Sequence, residues 1–139
     1  MRIPRNPPIR DFLTYGDNPG VIHVSPAEFE DLVAEALDEI PEEFQRHLEN
    51  TLVTIEDRPS REDLESLGIG RGRTLLGLYH GTPMTLRDAN FAALPDTIVL
   101  FRGPILEASR SRRDVVRQVR DTVVHEVGHF FGLSDKDLP

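Results

Sequence analysis

The stretch SRRDVVRQVRDTVVHEVGHFFGLSD, residues 111–135, decides the reading of this chain. From about Ser111 it runs helical, and Gly132 stands where a glycine would end the helix in a left-handed turn. At 100° per residue, Val116, Val119, Val123, Val127 and Phe130 fall within roughly 40° of one line, which is expected to face the core. His125 and His129 lie four apart, one turn above the other and roughly opposite that line; Gln118 and Asp121 extend the same polar row. Val124 and Phe131 add apolar surface outside the stripe, so the second half of the helix is expected to be buried on most sides. A polar row in such surroundings must open into a cleft or be satisfied internally, because an unpartnered buried polar group costs about 1–3 kcal/mol.

A divalent cation supplies a reason for that row. His125-Glu126-Val127-Gly128-His129 is an H-E-x-x-H motif, and two neutral imidazoles at i and i+4 can reach one zinc ion at about 2.0–2.1 Å. Glu126, rotated by about 100° from His125, is poorly placed as a third ligand but well placed to take a proton from a water on the metal. After Gly132 the chain turns back, so that Asp135 or Asp137 can complete the ligand set. Two His and one carboxylate leave one coordination position open, as catalytic zinc requires.

Composition agrees with this ligand set. The 139 residues contain no Cys, which excludes disulfides, thiolate nucleophiles and Cys-based zinc sites, and leaves His, Asp and Glu to hold any metal. The length suits one core. With 24 acidic against 16 basic residues and a formal charge of -8, the chain is not expected to bind nucleic acid, whose affinity comes from Lys and Arg on phosphates. The run Arg110-Ser111-Arg112-Arg113 reads as a solvated helix entrance. No stretch approaches the about 20 apolar residues of a membrane span, and the Pro-broken N-terminus does not read as a signal peptide. A cytoplasmic protein is the expectation.

Elsewhere the sequence predicts a small α+β domain. Residues 1–24 are expected as an extended arm, with four prolines and two glycines in the first 20 positions, and residues 25–139 as one domain. Ser25 and Glu28 form a capping box ahead of an amphipathic helix over 26–39. EEFQRHLEN can add a short helix with Phe44 and Leu48 on one side, and TLVTIED, 51–57, reads as a strand. Ser60 caps a short helix through Leu67, and GIGRGR, 68–73, is a loop that lacks the G-K-[ST] ending of a phosphate loop. TLLGLYHG, 74–81, and TIVLFRG, 97–103, are the strongest strand candidates, each stopped by Gly and Pro; residues 82–96 carry no sustained period. TIVLFRG is the candidate edge along which an extended peptide would lie.

HEVGHFFGLSD resembles the H-E-x-x-H-x-x-G-x-x-[HD] signature of zinc-dependent metallopeptidases, with Asp in place of the commoner final His. Together with TIVLFRGPILE and LLGLYHGTP, it is similar to a family of small bacterial zincin-like domains described as minimal metallopeptidases, over residues 25–138. The resemblance implies a zincin-like fold, with helices packed on a small mixed sheet and the active-site helix near the C-terminus. It also implies one zinc ion per chain on His125, His129 and Asp135, Glu126 as general base, and a peptide or protein substrate. The sequence departs from larger enzymes of this type: no methionine follows Asp135, and no residue is fixed as the oxyanion donor. Tyr79, His80 and Arg102 are candidates for that role, while His23 and His47 read as ordinary surface histidines. Two function classes remain: a metal-dependent peptide hydrolase, and a metal-binding interaction domain without catalysis.

Overall fold

A computed structural model describes residues 22–70, 72–81 and 95–132. Its described elements are α1 (Pro26–Asp38), α2 (Glu42–Gln45) running into a 3₁₀ turn (Arg46–Leu48), β1 (Thr51–Glu56), α3 (Arg61–Ser66), β2 (Gly77–His80), β3 (Asp96–Phe101), α4 (Arg102–Glu107) and α5 (Arg112–Phe130). This is the α+β arrangement expected, with helices packed on a three-stranded mixed sheet. No described helix is long and apolar enough to cross a membrane. Residues 1–21 of the expected arm, most of the aperiodic stretch 82–96, and both Asp135 and Asp137 lie outside the described residues.

Local chemistry sets the helix starts. The Ser25 hydroxyl accepts the Glu28 N–H at 3.1 Å, and the Glu28 carboxylate accepts the Ser25 N–H at 2.9 Å, closing the predicted box. Ser60 and Ser111 cap α3 and α5 by accepting the Asp63 and Asp114 N–H groups at 2.9 and 3.0 Å. Phe29, Leu32, Val33 and Ala36 of α1 and Val115, Val116, Val119, Val123 and Val127 of α5 are buried in one core with Ile98 and Leu100 of β3. Val24 already belongs to that core, and Phe44 of α2 closes it from the side.

Among the described residues the sheet order is β1-β3-β2, with β1 parallel and β2 antiparallel to β3, so β1 and β2 are its outer strands. This corrects the expectation for TIVLFRG: it supplies the central strand, and its edges are taken by Thr51–Glu56 on one side and Gly77–His80 on the other. Ile98, Val99, Leu100 and Phe101 are all buried, as a strand covered on both faces requires. The strand also ends earlier than predicted, because Arg102, Gly103 and Pro104 form the first turn of α4, where proline's missing N–H costs no hydrogen bond.

A second correction concerns Phe130, expected on the core line but exposed. Val127 is the last fully buried side chain of α5; the helix then outruns the core, and its final turn reaches the end of β2 instead. Phe131 is exposed as well, so the burial expected around the second half of α5 stops one turn short. Gly132 adopts the expected left-handed conformation, φ 71°.

The arginines at the start of α5 are ion-paired across to α1. Arg112 reaches Glu28 at 3.0 Å, Arg113 reaches Glu39 at 2.7 Å and Glu35 at 3.6 Å, and Arg120 reaches Glu39 at 3.3 Å. The Arg113 hydrogen bond holds the Glu39 carboxyl below its ordinary range, and the Ser25 N–H, then Arg112, does so for Glu28. Carboxyls lowered on folding contribute stability above their unfolded pKa near 4.5, lost as pH falls through the folded values. Melting curves from pH 7 to pH 3 are therefore expected to show a loss below about pH 4.5. Glu28 is exposed and Glu39 only half-buried, so the loss is expected to be small and to shrink in about 1 M salt; an Arg113→Gln variant with an unchanged acid limb would contradict this assignment.

Candidate metal centre

The polar row on α5 opens to solvent, and three side chains of its last turns carry the chemistry. His125 and His129 are exposed, with ring centroids 6.3 Å apart. His125 Nδ1 lies 2.9 Å from the Asp121 carbonyl oxygen, the i−4 acceptor of the helix. A bond there makes Nδ1 the protonated nitrogen and leaves Nε2 with a bare lone pair, the tautomer a metal ligand needs. Two imidazoles sharing one tetrahedral zinc at about 2.0–2.1 Å would set their centroids about 5 Å apart. The observed spacing is wider by about 1 Å, which small rotations of two exposed rings can close. The two histidines therefore fit one divalent ion. Among the described residues no group of three or more His, Cys, Asp or Glu is assembled to hold a metal; the expected third ligand, Asp135, and its rival Asp137 fall outside them.

Glu126 lies off the face that carries the two imidazoles, as its offset of about 100° demands, and reaches toward β2 while both rings still act on its charge. Its Oε1 accepts the backbone N–H of Tyr79 at 3.0 Å, so the edge strand β2 anchors the carboxylate. Burial pushes the Glu126 carboxyl above its ordinary pKa; the Tyr79 N–H and the nearby His129, His125 and His80 oppose that rise. A carboxyl raised by burial and held beside two metal-ligand candidates is placed to accept a proton.

The backbone of β2 comes this close to α5 because position 77 has no side chain. A Cβ at Gly77 would stand 2.7 Å from Thr122 Cγ2 and 3.0 Å from the Val99 carbonyl oxygen. Glycine here permits approach rather than an unusual dihedral. The Thr122 hydroxyl is buried and, among the described residues, is the side-chain polar atom without a hydrogen-bond partner.

The three oxyanion candidates separate. Arg102 is engaged with Asp57 at 3.0 Å, and the Tyr79 hydroxyl donates to Asp96 at 2.7 Å. His80, exposed at the end of β2, acts on the Glu126 charge. Tyr79 matters instead through its backbone and its ring, a contribution the sequence reading missed. So did the aromatic group around it: Tyr79 stacks on Phe130 at 4.1 Å, and Phe131 packs on His47 at 4.4 Å. His47 is thus a half-buried partner of the end of α5 rather than an ordinary surface residue, while His23 is exposed as expected. A signal for β2 was present in the contrast between the continuously apolar TIVLF, which marks a strand covered on both faces, and the shorter LYH, which does not.

Comparison with known proteins agrees with this geometry. The chain is similar to a solved structure, a conserved hypothetical protein from Thermo thermophilus, with a TM-score of 0.51 and 26% identity over 78% of this chain and 94% of that one. No curated protein matches it. Residues 48–139 match the family model described as zincin-like metallopeptidase, a span that contains the whole sheet and the H-E-x-x-H helix. The fold is zincin-like, and the chain belongs to the zincin-like metallopeptidase family.

Proposed function

We propose that this protein is a zinc-dependent peptidase, with His125, His129 and Asp135 as metal ligands and Glu126 as the general base. The observation that carries the reading is the division of labour on α5. Two imidazoles face solvent, one with its tautomer set by Asp121, while the carboxylate between them in sequence is turned aside and held by the Tyr79 N–H. A metal-ligand pair and a proton acceptor are thereby separated on one rigid helix.

A zinc ion bound there would polarise a peptide carbonyl and acidify a water molecule. Glu126, held by Tyr79 beside that position, takes the proton of the attacking water and returns it to the leaving amine. Its orientation does not depend on the substrate, since the edge strand already fixes it. Because β3 is central, the strand beside Glu126 along which an extended peptide would lie is β2, whose Tyr79 N–H is already taken by Glu126. His80, at the end of that strand, is the remaining candidate to stabilise the oxyanion. The substrate class is an extended peptide, in a cytoplasmic setting consistent with a chain free of cysteine.

Metal analysis of the purified protein, joined to a peptide-library digest, tests the reading. The expected result is about one zinc per chain, hydrolysis that a chelator abolishes and added zinc restores, and loss of both metal and hydrolysis in His129→Ala. Zinc bound at that stoichiometry without any hydrolysis would instead identify a metal-binding interaction domain of the same fold.

A further inference from the structure

The last turn of α5 carries a feature that the metal site and the general base do not use. Phe130 and Phe131 follow His129 directly and remain 48% and 41% exposed. Phe130 is nevertheless held in place. Its ring stacks on Tyr79 at 4.1 Å, and it lies so close over the end of β2 that a Cβ at Gly81 would meet its Cζ at 2.6 Å. Phe131 meets Phe130 edge-on at 5.1 Å and rests on His47, which limits the freedom of the pair. A large apolar ring fixed by its neighbours yet half in water is a surface awaiting a partner, whereas an unconstrained exposed side chain needs no explanation.

Its position says which partner. On α5, Phe130 stands four residues beyond Glu126 and so on the same side of the helix, and the two are bridged by one residue, Tyr79, through its N–H and its ring. The ring therefore continues the surface on which the reaction would occur, at the end of the edge strand proposed to align the substrate. We propose that Phe130 is the floor of a side-chain subsite, selecting peptides with an apolar or aromatic residue close to the scissile bond. This rests on the peptidase reading. In an extended peptide laid along β2, alternate side chains point to one face, so a single ring at the end of the strand reads a single position. Tyr79 and Gly81 act as positioning residues, the first as a platform and the second by leaving room for the ring.

Direct binding tests this independently of hydrolysis. The probes are labelled alanine-based hexapeptides carrying one Phe, Leu, Asp or Lys at each position in turn, titrated into zinc-loaded Glu126→Gln protein and followed by fluorescence anisotropy. Phe or Leu at one position is expected to bind about tenfold tighter than Ala there, from the apolar area covered. Adding Phe130→Ala should erase that preference, bringing the Phe and Leu peptides to the affinity of the all-Ala peptide measured on the same variant. Gly81→Ala, which displaces the ring without removing it, should weaken the preference in the same direction, and Phe130→Leu should retain part of it; thermal melts confirm that each variant is folded. No apolar preference at any position, or one that survives Phe130→Ala, overturns the subsite. So does a dimer that Phe130→Ala dissolves, since the patch would then serve a second copy of the chain. Peptides bound with the preference but never cut by the protein with Glu126 intact would sink the peptidase reading and keep the subsite; cleavage without apolar preference would do the reverse.

Discussion

Replacing Glu126 by glutamine is expected to abolish hydrolysis, keep the metal and raise the melting temperature of the metal-free protein. Loss of a positioned general base costs about 10²–10⁴ in rate, and Glu126 is not among the proposed ligands, so zinc content should not change. The effect on stability has a separate origin. Burial raises the carboxyl pKa, so the folded state favours the neutral form, and a carboxylate at neutral pH opposes folding. For a carboxyl raised on folding, the stability associated with the neutral form is complete below the unfolded pKa near 4.5 and is lost as pH rises through the folded value. Glutamine is neutral at every pH, and its Oε1 can still accept the Tyr79 N–H. The variant should therefore melt higher than the parent at about pH 7.5 in chelator, by about 2 °C for a partly screened group in a domain of this size. The difference should shrink toward about pH 4. Such a result would mark Glu126 as a residue kept for chemistry at a cost in stability. Hydrolysis within about tenfold of the parent would defeat the catalytic role; a lower melting temperature near neutral pH would show that the Tyr79 contact outweighs the burial of charge.

How much of this was readable in advance depends on how local each signal is. The Ser25 box, the Ser60 and Ser111 caps and the Gly132 stop are written within a few residues of sequence, and each formed as read. Glu126 turning away from His125 follows from helical geometry alone. Strand order is different in kind, because it depends on which strands meet, and TIVLFRG and TLLGLYHG were separable only by asking which was apolar on both faces. Phe130 was misplaced for a similar reason. Helical periodicity gives the direction of a side chain but not where along the helix the core ends, and α5 extends one turn past it. His47 offered no spacing at all; its contact with Phe131 joins residues far apart in the chain. The third metal ligand rests on the resemblance and on the turn that Gly132 begins.

The contact that holds β2 against α5 leads to the second large effect: Gly77→Ala should destabilise the fold and disable the site together. The new methyl carbon would lie 2.7 Å from Thr122 Cγ2 and 3.0 Å from the Val99 carbonyl oxygen, with Leu100 Cδ2 at 3.4 Å. A side chain can rotate away, but the Val99 carbonyl belongs to the central strand, where Leu78 and Val99 are paired, and it cannot retreat without disturbing the sheet. The strain must be relieved by moving β2. Overpacking of this kind costs about 1–3 kcal/mol, or roughly 3–9 °C in Tm for a chain of this length. Because the Tyr79 N–H travels with β2, the same shift would loosen its 3.0 Å bond to Glu126, and a misplaced base lowers kcat/KM by about 10²-fold. Thr122 supplies the control. Thr122→Ser removes the Cγ2 atom that meets the methyl first, so the pair should couple, with the double variant regaining about 1 kcal/mol while the clash with Val99 persists. Urea denaturation of the four proteins of this cycle, with kcat/KM measured on the same samples, reads both effects. Additive losses, or a Gly77→Ala protein that melts with the parent, would mean that β2 and α5 are not braced through this contact, and the position of Glu126 would then have to be set by something other than the approach of the edge strand.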